Sequence, residues 1–309
     1  MTGAQGSGGV ELSVILTARI RTPYGYVFRQ PGSRLARLRG GLSAGNDALD
    51  SPCLAYVIRH PAAGAILVDT GMHPDVRVDL RKDSGFAMGL LFRGLRPAAK
   101  PFDDQLRELG VEPDDVRSVA MTHLHVDHTS GMRLLPNATF VCSNVEWRSA
   151  HGRFASGRGY VAHHLPPEER MRLLDFERDG EPFGAFCRSL DFIGDGSIRL
   201  IFTPGHTKGH MSMLLQLTDG SRVLLVGDAA YTMRSIREQL LPMLTDDDEA
   251  SKRSLRELKE FSSQDPDAIL VPTHDPVAWQ SLKPVAAIHG DKSSQAPAAT
   301  TGWIARGDQ

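Results

Sequence analysis

Three imidazoles and one carboxylate crowd into six residues of this chain, as His123, His125, Asp127 and His128. Imidazole nitrogen and carboxylate oxygen are the donors that zinc and its first-row neighbours prefer. Residues 116–121 before them read as the end of a buried strand, and Thr129-Ser130-Gly131 after them as a turn into a short helix. Ligand-type residues at the end of a buried strand are costly to fold unless something binds them. Four further segments repeat the arrangement, each an apolar strand running into His or Asp beside Gly or Pro. They are Asp69-Thr70-Gly71, the stretch 203–210 with His206 and His210, Gly227-Asp228, and Pro272-Thr273-His274-Asp275. Strand ends and their loops are where a rigid scaffold presents reactive groups. His60, His73, His151, His163, His164 and His289 sit in no such context and are expected at the surface.

These loops need strands to hold them. Apolar runs predict strands at 10–16, 53–59, 65–69, 119–122, 139–142, 198–202, 211–217, 223–226 and 269–271. Residues 61–64 and 218–221 read as hairpin turns. Helices are predicted at 103–109, stopped by Gly110, and at 167–176, behind Pro167-Glu168-Glu169. A third is predicted at 249–261, where Leu255, Leu258 and Phe261 form an apolar stripe. Strand groups on either side of helices point to layered sheets with helices outside.

The composition, 41% hydrophobic with formal net charge -2, fits one large domain or two modest ones, and a single domain over residues 10–290 is expected. It leaves no electrostatic footprint for nucleic acid or an anionic membrane. The richest basic cluster, Arg29, Arg34, Arg37 and Arg39, reads as a solvated face. Cys53, Cys142 and Cys187 are isolated from one another, which argues against a disulfide scaffold or a thiolate metal site. All three are expected to be buried small side chains, and the cytoplasm is the expected compartment. Residues 1–9 and 291–309 are expected to lack fixed structure, with no signal peptide or membrane span.

The residue set resembles the metallo-β-lactamase superfamily. The HxHxDH motif of that family stands here as His123, His125, Asp127 and His128, and its later His, Asp and His match His206, Asp228 and His274 in order. The resemblance spans about residues 12–274. It implies an α/β (α+β) fold, an αββα sandwich with a dinuclear metal site at one edge. It implies that His123, His125 and His206 hold one divalent metal ion, that Asp127, His128 and His274 hold the other, and that Asp228 bridges them. Two carboxylates and a hydroxide would offset most of the charge that two such cations bring. Zinc suits these donors, and iron, manganese and cobalt fit nearly as well. Asp69 and His210 are expected to orient the ligands through hydrogen bonds.

Tyr231, three residues beyond Asp228, and the Pro272–Asp275 stretch are similar to the quorum-quenching N-acyl-homoserine lactonases. That likeness implies opening of a lactone ring by a hydroxide shared between two metals. Tyr231 would stabilise the oxyanion, and Asp127 would deliver a proton to the leaving alkoxide. The small-molecule substrate needs an apolar groove for its acyl chain. Phe86, Met88, Leu90, Leu91 and Phe92 could supply one, or could serve the core or a homodimer contact. Extra residues near 30–50 and 151–192, relative to the smallest lactonases, would shape the pocket. Other esters, thioesters and phosphodiesters are the alternative substrates, because a fold does not fix its substrate. The segment after His274 is too short and too little basic for a thioesterase of glyoxalase II type, and the positive charge of a nuclease is absent. A non-enzymatic binding protein is the remaining reading, and the complete ligand set weighs against it.

Overall fold

Apolar residues occupy both faces of the central strands, so the sheets must be covered on both sides. The computed structural model describes residues 9–32, 47–85 and 94–289. In chain order the strands are β1 (Glu11–Pro23), β2 (Ala48–His60), β3 (Gly64–Val68), β4 (Leu95–Pro97), β5 (Ser118–Ala120), β6 (Thr139–Ser143) and β7 (Met171–Leu174). They continue as β8 (Glu181–Phe183), β9 (Phe186–Asp191), β10 (Ile198–Phe202), β11 (Met211–Gln216), β12 (Arg222–Gly227), β13 (Ile269–Pro272) and β14 (Ala286–His289). One sheet runs β14-β1-β2-β3-β5-β6-β7, with β4 also paired to β1, and the other runs β13-β12-β11-β10-β9-β8.

Side-chain alternation sorts residues between layers. On β2, Leu54, Tyr56 and Ile58 enter the cluster between the sheets, where they meet Leu200, Met213 and Leu225 of the second sheet. Their neighbours Ala55 and Val57 face outward onto Phe102 and Leu106 of the helix Phe102–Glu108 and onto Trp147 of the helix Asn144–Ala150. On the far side, Leu214, Leu224 and Val226 are covered by Leu255, Leu258 and Phe261 of the helix Asp248–Gln264. Each such burial contributes roughly 1.5–3 kcal/mol, and this packing holds helices that would be marginal in isolation. The result is the αββα sandwich expected from the sequence.

Both hairpins form as predicted, β2 with β3 and β11 with β12. The stretch 167–176 does not form the predicted helix. After one 3-10 turn at Glu168–Arg170 it becomes β7, parallel to β6, and a short helix starts only at Phe176. Leu174 reaches the inner cluster while Leu173 and Met171 pack on the outer one, and burial on two faces outweighs the local helix-start signal. The stretch 151–192 forms strands β7, β8 and β9, of which β7 and β8 are edges of their sheets.

Some side chains also differ from expectation. Cys187 is exposed, because Phe186 beside it turns inward on β9. Cys53 and Cys142 are buried as expected. His60 is buried. Its Nε2 lies 2.8 Å from Asp195, and its Nδ1 accepts from the backbone N–H of Ala62 and Ala63, which fastens the β2–β3 turn. His164 is buried between Thr129 and the Asp83 backbone carbonyl. Arg29 is no solvated group either: it donates to the Pro242 carbonyl and pairs with Asp248. Arg34, Arg37, Arg39, the apolar run 86–92, residues 1–8 and the tail 291–309 lie outside the described residues. Among the described residues, no helix is long and apolar enough to cross a membrane.

Candidate metal centre

Strands β3, β5, β10, β12 and β13 end at one edge of the sandwich, and each hands its last turn to a candidate residue. Asp69 follows β3, His123 and His125 follow β5, His206 follows β10, Asp228 follows β12, and His274 follows β13. Asp127 and His128 sit on the one-turn helix Val126–Thr129, whose buried residues include both. Backbone bonds tie these segments together: Met211 N–H donates to the Thr122 carbonyl at 2.9 Å from one sheet to the other, and Thr70 N–H donates to the His128 carbonyl at 2.9 Å between the loops after β3 and β5.

Seven candidate ligands therefore converge. The Asp228 carboxylate lies 3.2 Å from His274 Nε2, 3.5 Å from His206 Nε2, 3.5 Å from His128 Nε2 and 3.9 Å from His123 Nε2. His206 Nε2 lies 3.0 Å from His125 Nδ1, and His274 Nε2 lies 3.3 Å from Asp127 Oδ2. Donor atoms of His123, His125 and His206 all fall within 4.8 Å of one another, as do those of His123, His128 and Asp228. His123 Nε2, His128 Nε2, His206 Nδ1 and Asp228 Oδ1 are buried without a hydrogen-bond partner among the described residues. Buried polar atoms are normally satisfied, so four orphans in one cluster mark a place for something else. Nitrogen and carboxylate donors at this spacing fit divalent cations.

Neighbouring groups fix these ligands. Asp69 is fully buried and accepts from His128 Nδ1 at 2.7 Å, from Thr122 N–H at 2.8 Å and from the Thr122 hydroxyl at 2.8 Å. Its φ of 54° is left-handed, strain that recurs at functional sites. His210 accepts from Asp228 N–H through Nε2 at 2.9 Å, which places the other ring proton on Nδ1, directed at Thr203 Oγ1. Gly227, at φ 62°, is required here, since a Cβ would stand 2.6 Å from His210 Nε2. Gly159 is required for the same reason: at φ 100°, a Cβ would meet the His125 ring at 3.0 Å.

Two contributors escaped the sequence reading. Glu146 is fully buried and accepts from Leu124 N–H at 2.9 Å, the Tyr160 hydroxyl at 3.1 Å and Gly209 N–H at 3.2 Å. It thus clamps the His123–His125 loop to the loop carrying His206. Burial raises its pKa against those hydrogen bonds. The signal available was its place three residues after Ser143, whose hydroxyl caps the helix through Glu146 N–H. Cys53 on β2 places its Sγ within 4.8 Å of donor atoms of Asp127 and His274, although no cysteine spacing pointed there.

Electrostatics divide the histidines into two groups. Burial depresses His123 well below its ordinary value, His125 to about 4 and His206 to about 3. Burial also opposes charge on His274, but Asp228 and Asp127 outweigh it and raise the pKa to about 10. His128 is likewise raised well above its ordinary value by Asp69, Asp127 and Asp228 in spite of burial. The metal-free centre is thus held together by two imidazolium groups against its carboxylates. Divalent cations would displace those protons. Metal loading near neutral pH is expected to release about two protons per chain from His128 and His274, with a further one as a coordinated water ionises above about pH 7, and affinity should climb as pH rises toward the His274 value. The sign follows from the raised pKa values: protons compete below them and cease to compete above. Calorimetric titration in buffers of different ionisation enthalpy measures the count, and zero release would contradict this charge assignment.

A cavity of about 500 Å³ opens beside the cluster. Asp127, Asp228, His125, His206 and His274 line it, with Tyr26, Tyr231 and Ser51 on its wall and Ile20, Pro23, Val126 and Leu244 as apolar lining. The Tyr231 ring stands edge-on to His274 at 5.4 Å and to His206 at 5.6 Å, and it stacks on Tyr26 at 6.1 Å. Arg158 pairs with Asp246 across the rim.

The profile of the metallo-beta-lactamase superfamily matches residues 48–274. An N-acyl homoserine lactonase, AttM, from Agrobacterium fabrum is 33% identical over 78% of this chain and 89% of its own. The lactonase AiiA from Bacillus thuringiensis subsp. kurstaki is 27% identical over 69% of this chain and 77% of its own. Among solved structures, an N-acyl homoserine lactone hydrolase with N-hexanoyl-L-homoserine at its catalytic metal centre superposes with a TM-score of 0.66 at 21% identity, covering 89% of this chain and 96% of that one.

Proposed function

Since this chain belongs to the metallo-beta-lactamase superfamily, we propose that it is a metal-dependent hydrolase that opens lactone rings, with N-acyl homoserine lactones as its substrates. The observation that carries this reading is the convergence of seven ligand-type side chains on the floor of a cavity walled by Tyr231. AttM, which shares a third of its aligned residues with this chain, supports the choice of substrate.

His123, His125 and His206 would hold one cation, Asp127, His128 and His274 the other, with Asp228 between them. Zinc is the assigned ion. Such ions supply Lewis acidity toward a carbonyl and lower the pKa of a coordinated water to about 7. The chain's own groups do the rest. Tyr231 is the oxyanion donor: burial, then Tyr26 and Asp228, push its pKa well up, so its hydroxyl keeps its proton at neutral pH. The stacked Tyr26 ring holds it in place. Asp127, an ionised carboxylate at the cavity floor, takes a proton from the water that adds to the carbonyl and passes it to the ring oxygen as the carbon–oxygen bond breaks. Ile20, Pro23, Val126 and Leu244 receive the acyl chain. We infer a reducing compartment, the cytoplasm, and the free thiols Cys53, Cys142 and Cys187 support that reading.

Zinc-loaded protein should hydrolyse N-hexanoyl-homoserine lactone with a kcat/KM at least about 100-fold above a thioester or a phosphodiester. A reversed order, measured by proton release, would replace the lactonase reading with one of the alternatives. Tyr231→Phe should reduce kcat on the order of 100-fold, the typical cost of one oxyanion donor, while metal content stays at the wild-type value. Unchanged kcat would remove Tyr231 from the mechanism.

A further inference from the structure

β2 passes the centre with Ser51, Pro52 and Cys53. The Pro52 carbonyl accepts from His274 Nδ1 at 2.9 Å, so this segment forms one wall of the reacting site. Ser51 is 1% exposed, and its hydroxyl has no hydrogen-bond partner among the described residues. It lines the same cavity as Asp127, Tyr231 and His274. The threonine hydroxyls of that cavity are engaged, Thr245 with Asp248 and Thr22 with the Ile20 carbonyl, and Tyr231 is assigned to the oxyanion. An unsatisfied buried hydroxyl is destabilising, and one on a residue that lines a cavity gains a partner when a small turn of its side chain meets a ligand atom.

We propose that the Ser51 hydroxyl positions the substrate by hydrogen-bonding the amide carried on the lactone ring, and that it makes the enzyme prefer amide-bearing lactones to plain ones. This rests on the lactonase reading. The chemistry of the wall supports the assignment. The ester carbonyl is committed to Tyr231 and the cations, and an acyl chain offers only C–H groups. An amide offers both a donor and an acceptor, and a serine hydroxyl can meet either. A site built to bond a polar group discriminates strongly against analogues that lack it, because the protein group is then left unpaired.

The test compares zinc-loaded wild type and Ser51→Ala on N-hexanoyl-L-homoserine lactone and on γ-hexalactone, which lacks the amide. Ser51→Ala is expected to lose about tenfold in kcat/KM on the first, mostly through KM, and less than about twofold on the second. Its thermal midpoint should equal or exceed that of wild type, since no protein partner is lost. Equal losses on both lactones, no loss on either, or a midpoint lower by more than about 5 °C would overturn the proposal. A wild type that opens neither lactone would overturn the lactonase reading and this inference together. A wild type that opens both, with an unchanged substrate ratio in Ser51→Ala, would overturn the role of Ser51 alone.

Discussion

Asp228→Ala is expected to empty the centre of metal and to lower lactone hydrolysis by at least about 10³-fold. No other carboxylate stands within 3.9 Å of four imidazoles, among the described residues. Burial works against its charge, but His274 and His128 outweigh that and hold the carboxyl well below its usual range. Truncation therefore removes the anion shared by both halves of the cluster and leaves two raised histidines with less to balance them. Breaking a buried charged pair costs about 3–5 kcal/mol, so the metal-free variant should also be less stable. The His274 pKa should fall from about 10. Mass spectrometry of bound metal, turnover, and the His274 NMR titration each check one part. His125→Ala should share the loss of turnover but spare the His274 pKa, because His125 meets His206 rather than the Asp228–His274 pair. A variant of Asp228 with full metal content and near-normal turnover would sink the ligand assignment.

The second large effect is expected at Asp69, which is fully buried and does not line the cavity beside the cluster. Asp69→Asn keeps the shape, and asparagine tolerates a left-handed backbone nearly as well as aspartate. Only the charge and one acceptor change, so the amide group would point its hydrogens at the His128 Nδ1–H or the Thr122 hydroxyl. Metal affinity should fall about 10- to 100-fold, the usual effect of removing a group that orients a ligating histidine. Asp69→Ala adds the strain of φ 54° on alanine and strands Thr122 N–H, so it should be destabilised further, by about 3–5 kcal/mol in total. Chelator competition measures the first and denaturant unfolding the second. If both variants bound metal as tightly as wild type, Asp69 would be a core residue and nothing more.

Much of the centre was legible because its chemistry is local. His123, His125, Asp127 and His128 are neighbours, and each later ligand follows an apolar strand whose length the sequence displays. Asp69 could be read in the same way, as a polar residue ending the run Ala65–Val68. The helix Asp248–Gln264 was equally plain, since its stripe of Leu255, Leu258 and Phe261 needs a covering partner wherever it lies. The misreadings share a different cause. The Pro167-Glu168-Glu169 signal is local and favours a helix, but pairing with β6 and burial of Leu174 on the other face are not local, and they prevailed. His60 and His164 read as surface residues because their partners, Asp195 and Asp83, lie far away in the chain.

The sequence alone therefore determined the donor types, their order and the strand ends that carry them, because spacing and hydrophobic pattern are properties of a single segment. Tertiary structure alone decided which groups close around them. Glu146 joins two loops, Cys53 and Ser51 bring β2 to the wall of the site, and Tyr26 braces Tyr231. None of these residues belongs to a motif. Each acquires its role only when the two sheets pack and residues distant in the chain share one low-dielectric space, where every polar atom must find a partner.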